Sequence, residues 1–458
     1  MDRALPSGSV LADPDVLEAY SHDESEVKPQ MPGAVVRARS THDVSAVLKA
    51  AHAHGIPVTP RAGGTGRVGG AVPVENGIVL AVERMSAIKE IDRRELIAVV
   101  EPGVITGALH EGVEAESLFY PPDPNSWPSC ALGGNIANNA GGPRAFKYGV
   151  TREYVLGLEI VMADGSVQRV GRRTRKGVTG YDLTALIVGS EGTLAVVTEA
   201  TLKLLPLPED VATMLVFLKS EEDIERAVTA AVGRRIVPRC IELMDGDTLS
   251  IVRAEASVAV PEGTNALLIV ELDGESGGLD GHVERCGGAM LEAGAIDILV
   301  ARPRADRERL WAARRELSRS LRKLARFKLA EDVVVPRTKI AALLMRTRAI
   351  GERFGLRTPA YGHAGDGNLH VNFLWDNPEQ WSSVESAIAE LLREVVAMGG
   401  TIAGEHGIGV MKAPFLSLEQ SPEIIALQER IKATFDPQGI LNPGKIFPAA
   451  ARRFHGSC

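Results

Sequence analysis

Two short glycine-rich motifs hold three of the ten histidines in this 458-residue chain. One runs Tyr361-Gly-His-Ala-Gly-Asp-Gly-Asn-Leu-His-Val-Asn372, the other Ala403-Gly-Glu-His-Gly-Ile-Gly409. A tight turn at Gly365 to Asn368, joining two short strands, would bring His363 and His370 face to face. On the second strand His370, Asn372 and Leu374 share one face, so Asn372 can point into the same site. Glu405 can supply a third ligand. Two imidazoles and one carboxylate, with positions left open, suit a catalytic rather than a structural metal site. Such an ion polarises a substrate by binding its oxygen atoms. His22, His42, His52, His54, His110, His282 and His455 lack any such context and are read as ordinary histidines.

A second source of chemistry is a long basic helix, expected over about Asp306 to Arg326 with Asp306 as its N-cap. Leu310, Leu317, Leu321 and Leu324 form its apolar stripe. Arg314 lies four residues after Leu310 and three before Leu317, so it falls on that stripe. Ser318 sits one turn further along. A buried guanidinium requires an anionic partner. That partner is either an internal acid or a substrate carboxylate, which the planar arginine fork fits well.

The elements that must position these groups are rich in glycine. Ser40-Thr-His-Asp43 reads as a capped helix start, continued by Val44, Val47, Leu48 and Ala51 and stopped by Gly55. Ile56 to Thr59 reads as a strand leading into Arg61-Ala-Gly-Gly-Thr-Gly-Arg-Val-Gly-Gly-Ala71. Gly64, Gly66 and Gly69 spell G-x-G-x-x-G, with Glu83 where a dinucleotide fold wants its acid. That reading fails, because a helix must begin at those glycines. Gly69, Gly70, Pro73 and Gly77 leave no room for one before the next strand, Ile78 to Glu83. What remains is a loop of backbone N–H groups that a pyrophosphate can approach closely. A second segment runs Pro121-Pro-Asp-Pro-Asn-Ser-Trp-Pro-Ser-Cys-Ala-Leu-Gly-Gly-Asn-Ile-Ala-Asn-Asn-Ala-Gly-Gly142, and a third is Val188-Gly-Ser-Glu-Gly-Thr-Leu-Ala-Val-Val197.

Taken in order, Arg61-Ala-Gly-Gly-Thr-Gly, Pro122-Asp-Pro, Gly133-Gly-Asn-Ile-Ala-Asn and Gly189-Ser-Glu-Gly-Thr-Leu resemble the flavin domain of the vanillyl-alcohol-oxidase-type (PCMH) flavoproteins. The resemblance spans about residues 15 to 450. It is strongest to the branch of glycolate oxidase flavin subunits, FAD-linked D-lactate dehydrogenases and D-2-hydroxyglutarate dehydrogenases. It implies FAD held by Arg61, Gly63, Gly64, Thr65, Gly66, Gly70, Pro122, Asp123, Ser129, Gly134, Asn135, Asn138, Glu191, Gly192 and Val197. Relatives with covalent flavin place a His where Thr65 stands, so the FAD should be non-covalent. The C-terminal run Phe435-Asp-Pro-Gln-Gly-Ile-Leu-Asn-Pro-Gly-Lys445 resembles the family's return to the flavin, with Asn442 on FAD or its loop. By the same resemblance His363, His370 and Glu405 correspond to metal ligands and His406 to the general base. An imidazole titrates near neutral pH and can take a hydroxyl proton. Arg314, Ser318, Lys328 and Asn372 then bind substrate. The metal is expected to be zinc, with manganese or iron as alternatives.

After Pro206 the pattern changes to β-α-β-β-α-β, a ferredoxin-like unit. Its strands are expected at Ala212–Leu218, Val237–Met244, Ala266–Leu272 and Ile296–Ala301. Helices are expected from Ser220 and over Leu279–Ala293. The fold class is therefore α+β. It combines a two-subdomain FAD-binding domain (1–207), a ferredoxin-like cap carrying substrate and metal residues (208–412), and a C-terminal return segment (413–458).

Composition narrows the function classes. Lys+Arg 51 against Asp+Glu 59 gives a net charge of −8, the wrong sign for a phosphate-backbone binder. Cys130, Cys240, Cys286 and Cys458 form no C-x-x-C pair, so neither a structural zinc nor an iron–sulfur cluster is expected. Electrons must therefore leave to a quinone, a cytochrome, an electron-transfer flavoprotein or an iron–sulfur partner subunit. No stretch reaches the length of a spanning helix, and the first residues do not read as a signal peptide. The expected setting is cytoplasmic or peripheral at the inner membrane face, with a homodimer as one open assembly. The activity implied is oxidation of a D-2-hydroxy acid of the D-lactate or glycolate class. D-2-hydroxyglutarate oxidation, or a flavin subunit active only within a complex, is the alternative.

Overall fold

The computed structural model describes residues 5–255 and 259–447, so His455 and Cys458 lie outside the described residues. The chain divides into two compact units. The first takes the described parts of Met1–Gly141, Val150–Leu207 and Glu405–Ser457, and the second takes Gly142–Gly149 and Pro208–Gly404. The expected cap boundary at 412 thus moves to Gly404, and a short early segment joins the cap. Lys147 and Tyr148 explain the second change: both reach the buried carboxylate of Asp273, the tyrosine hydroxyl donating at 2.8 Å.

The first unit has two sheets. In one, strands Ala34–Arg37, Ile78–Ala81 and Val58–Arg61 run parallel, with Val10–Leu11 antiparallel at the edge. The helix Thr41–His54 covers it. Ser40 caps that helix by accepting from the Asp43 N–H at 3.2 Å, and Gly55 ends it at φ +62°. Val44, Val47, Leu48 and Ala51 are fully buried beneath it, as their spacing predicts. The other sheet is antiparallel, in the order Ile88–Asp92, Ile97–Val100, Val196–Lys203, Val155–Val161, Val167–Gly171. The Arg61 to Ala71 loop contains no helix. The second glycine segment does contain one, Leu132–Asn138, ended by Asn139 at φ +52°.

In the second unit the strands Ala295–Ala301, Asp210–Leu218, Ala266–Gly274 and Cys240–Met244 lie in the ferredoxin-like order 4-1-3-2. The sheet then continues through Ala360–His363, Asn368–Trp375 and Phe327–Val334 to seven strands, all neighbours antiparallel. An additional helix, Gly246–Glu255, follows the Cys240–Met244 strand. The basic helix covers Arg304–Arg322 with Pro303 as N-cap, which corrects both the expected cap at Asp306 and the expected end at Arg326. Leu310, Leu317 and Leu321 are buried, whereas Leu324 lies beyond the helix end and is exposed.

Candidate active site

Antiparallel register decides which side chains meet on the cap sheet. Glu242 pairs with His363, His363 with Asn368, Tyr361 with His370, and Asp332 with His370. Directly opposed residues share a face, and so do residues two apart on one strand. Glu242, Tyr361, His363, Asn368, His370, Asn372, Asp332 and Lys328 therefore all project to one side. The connecting turn spans 364–367, one residue earlier than the sequence suggested, with the Gly367 N–H donating to the His363 carbonyl at 3.1 Å.

The two imidazoles stand edge to face, 5.3 Å between ring centroids at an interplanar angle of 87°, and both are buried. His363 Nδ1 lies 2.5 Å from Glu242 Oε1. An ionised carboxylate only accepts, so this contact puts the ring proton on Nδ1 and the lone pair on Nε2. The other oxygen of Glu242 meets Arg314 Nη2 at 2.7 Å. Burial pushes the Glu242 carboxyl up, but His363 and Arg314 outweigh that and hold it below the ordinary carboxylate value. Arg314 also lies over the Tyr361 ring, 4.6 Å from its centroid. Its anionic partner in this structure is thus an internal acid. Of the two partners the sequence left open, the internal acid is the one this structure places against the guanidinium. Among the described residues Arg314 Nε has no hydrogen-bond partner, although it is buried.

Asn372 is fully buried and donates through Nδ2 to the carbonyls of Pro359 and His370, at 3.2 and 3.0 Å. Its Oδ1 has no partner among the described residues. Lys328 Nζ donates to Ser318 Oγ at 3.1 Å, so two expected substrate residues already touch. Asp332, wholly buried, accepts from Asn368 Nδ2 at 2.6 Å and from the Gly404 N–H at 2.9 Å. Glu242 and Asp332 were missed in the sequence. Their signal was an acid set inside an apolar strand, as in Cys-Ile-Glu-Leu-Met.

In the other unit one buried carboxylate organises the glycine-rich segments. Glu191 sits at φ +52° and accepts from the Ile408 and Gly409 N–H groups, each at 2.7 Å. Burial raises its pKa against those two bonds. Asn442 Nδ2 donates to the carbonyls of Glu191 and Gly70, at 2.7 and 3.0 Å, so it ties the third segment to the first loop. Asn138 Nδ2 donates to the His406 carbonyl at 3.3 Å. The segment bearing Glu405 and His406 is therefore fixed through its backbone.

The remaining expected cofactor residues line the same unit. A Cβ on Gly63 would stand 3.0 Å from the Ala131 nitrogen and 3.1 Å from the Ser129 carbonyl, so the first two glycine segments abut. Gly64 and Gly192 have φ of +69° and +68°, a region where glycine carries no steric penalty. Among the described residues an added Cβ would meet nothing within 4 Å at Gly70, only the Ala62 Cβ at 4.0 Å at Gly134, and only Asp23 Oδ2, at 3.3 Å, at Gly66. The Pro122 carbonyl bonds His110 Nε2 at 2.9 Å. Arg61 donates to the His22 carbonyl at 2.6 Å and stacks on Tyr20. Asn135 is turned inward and donates to Thr106 Oγ1 at 2.7 Å, so its carboxamide nitrogen serves the protein. Thr65 and Asp123 are half-buried in their loops, and Val197 pairs with Ile160 in the antiparallel sheet.

Comparison with known proteins agrees with both halves of this description. Residues 32–171 match the FAD binding domain, and residues 207–446 match the C-terminal domain of FAD linked oxidases. The chain is 40% identical to the glycolate oxidase subunit GlcD of Bacillus subtilis, covering 95% of this chain and 93% of that one. It is 38% identical to a D-lactate dehydrogenase of Archaeoglobus fulgidus, over 94% of this chain and 95% of the relative. It is 33% identical to a D-2-hydroxyglutarate dehydrogenase of Stutzerimonas stutzeri, over 96% and 97%. Among solved structures, p-cresol methylhydroxylase superposes with a TM-score of 0.82 at 19% identity, covering 98% of this chain and 95% of that one, a likeness of fold.

Proposed function

Since the chain belongs to the FAD-linked oxidases, in the group of glycolate oxidase and the D-lactate and D-2-hydroxyglutarate dehydrogenases, we propose that it oxidises a short D-2-hydroxy acid to the 2-oxo acid. One observation carries the reading. The buried row Arg314–Glu242–His363 leaves Arg314 Nε and Asn372 Oδ1 without partners among the described residues, one donor and one acceptor. A 2-hydroxy acid offers a carboxylate to the first and a hydroxyl to the second.

The chain's own residues fit both implied groups. The loops at Gly70 and Gly134 leave backbone open to a flat or phosphorylated ligand, and Asn442 keeps a buried Oδ1 without a partner among the described residues. These residues would hold FAD, non-covalently, which when bound accepts the two electrons of the oxidation as hydride. His363, through Nε2, with His370 and Glu405 would hold a divalent ion, zinc first, which when bound acidifies a coordinated hydroxyl.

The residues do the rest. Arg314 orients the carboxylate, with Lys328 supplying a second positive charge steadied by Ser318. Asn372 accepts from the hydroxyl and so fixes the face from which Cα–H departs. That same hydroxyl proton then leaves Asn372 Oδ1 for an imidazole nitrogen of His406, so the two contacts are successive. Short acids are favoured over a five-carbon diacid. Arg322, Lys323 and Arg326, the cations nearest the segment in sequence, are all exposed, and Arg326 lies over the Phe327 ring. The two electrons then pass to an acceptor or partner subunit, a quinone, cytochrome, electron-transfer flavoprotein or iron–sulfur protein.

The test is anaerobic flavin spectroscopy of the purified holoenzyme with D-lactate, glycolate, D-2-hydroxyglutarate and L-lactate. D-lactate or glycolate should bleach the flavin, and chelation should slow bleaching until zinc or manganese is restored. Equal bleaching by L-lactate, or full bleaching in metal-free protein, defeats the proposal.

A further inference from the structure

A cavity of about 470 Å³ lies in the first unit, and none of the residues lining it is assigned to flavin or substrate. Arg152, Arg172, Arg175 and Lys203 line it, against only two carboxylates, Glu153 and Asp182. Asp182 is already engaged, accepting from the Ala185 N–H at 2.9 Å as the cap of the helix Leu183–Ile187. Positive charge therefore exceeds negative charge inside a concave, partly desolvated space, where Coulomb forces are stronger than in bulk water.

Two buried polar atoms at this cavity have no hydrogen-bond partner among the described residues: Thr184 Oγ1 and Arg172 Nε. Thr184 is only 4% exposed, so its hydroxyl cannot turn to bulk solvent for a partner. Leaving such groups unmatched carries the full desolvation penalty of each, which a polar ligand would relieve. The Lys203 ammonium is held 4.5 Å from the Tyr154 ring centroid, which keeps it from folding away. Burial lowers its pKa, and Arg175 adds to that against the opposing pull of Glu153.

We infer that this cavity is a binding site for a compact dianion, a phosphate group or a small dicarboxylate, gripped by Arg152, Arg172, Arg175 and Lys203 with Thr184 donating its hydroxyl. The forks of Arg172 and Arg175 match the oxygens of either group, Arg152 adds its charge while its Nη2 donates to the Val188 carbonyl at 2.7 Å, and the hydroxyl can donate to one more oxygen. Volume favours a small metabolite over a bare ion, because one phosphate occupies only part of the space. The Leu183–Ile187 helix leads directly into Val188 and Glu191, so an occupant here sits at the root of a flavin-loop segment.

The test is calorimetric titration of the intact holoenzyme with inorganic phosphate and, separately, malonate, at constant ionic strength, with chloride as control. One dianion should bind at a single saturable site per chain, while chloride gives no saturation. Saturation by phosphate alone identifies a phosphate ester, and by malonate alone a dicarboxylate. Arg175→Gln, at an exposed position, and Thr184→Val should each weaken binding by about tenfold or more. Flavin content and bleaching by hydroxy acid should remain as in the parent with Arg175→Gln, which separates this site from the active site. Absence of saturation by either dianion, or equal affinity in both variants, overturns the inference.

Discussion

Replacing Glu242 by Gln gives the sharpest test of how the cap site is held. Glu242 is fully buried, with one oxygen 2.5 Å from His363 Nδ1 and the other 2.7 Å from Arg314 Nη2. Glutamine keeps the shape and one acceptor but strands the guanidinium, itself only 5% exposed. Removing one partner of a buried ion pair costs about 3–5 kcal/mol. For a unit of roughly 200 residues that corresponds to a fall in Tm of about 6–20 °C. The same change releases the His363 tautomer, and loss of such an outer partner weakens metal affinity by about 10–100-fold. Scanning calorimetry and zinc reactivation of chelated enzyme read the two effects separately. Arg314→Met alone strands the carboxylate. The double variant strands neither charge, so it should be more stable than the sum of the singles by about 0.5–3 kcal/mol. Singles that simply add, or an E242Q protein that melts and reactivates like the parent, would refute the account.

Gly407 has φ +88°, and an added Cβ would stand 2.8 Å from Glu191 Oε1. Gly407→Ala should therefore cost about 1–3 kcal/mol and slow flavin bleaching by displacing the His406 backbone, checked by urea melts and stopped flow. His406→Ala should retain its bound flavin yet lose bleaching by D-lactate; full-rate bleaching removes the base assignment. Burial pushes the Asp245 carboxyl from 3.8 up to about 7, against hydrogen bonds from Thr248 and Ala360. The folded state thus holds that proton more tightly than the unfolded state. Stability from this group is greatest below about pH 4, falls as pH rises towards 7, and is flat above. The fall is at most about 4 kcal/mol at 1.36 kcal/mol per unit. Asp245→Asn should flatten this part of the melting profile between about pH 4 and 7; parallel profiles count against it.

Much of the fold was legible because local signals and tertiary packing agree. Ser40, Gly55 and the buried apolar residues Val44, Val47, Leu48 and Ala51 between them specify one helix at three levels. The ferredoxin-like order followed from alternating element types. The three strands that extend that sheet did not, since nothing local tells Ala360–His363 to pair with Cys240–Met244. The partner of Arg314 was illegible for the same reason, because Glu242 lies 72 positions away in sequence. The helix Leu132–Asn138 was hidden by two glycines, which disfavour helix by about 1 kcal/mol each. Here the tertiary contact outweighs the propensity: Gly133 packs against Pro102, where a Cβ would stand 2.8 Å from the Pro102 Cβ.

The candidate metal pair depends on strand register more than on any single side chain. His363 and His370 face each other because the hairpin aligns Tyr361 with His370 and Gly362 with Leu369. A slip of one residue would send His370 and Asn372 to the opposite face and bring up Leu369 and Val371. Two close approaches oppose that slip. A Cβ at Gly362 would collide with the Asn368 carbonyl, and one at Gly404 would collide with Asn368 Nδ2. Asn368 in turn is locked by Asp332 and the Val333 carbonyl. The glycines that looked like mere spacers between histidines thus fix the pairing that makes the histidines neighbours. A side chain at Gly362 or Gly404 should therefore break the pairing, although neither position carries a functional group.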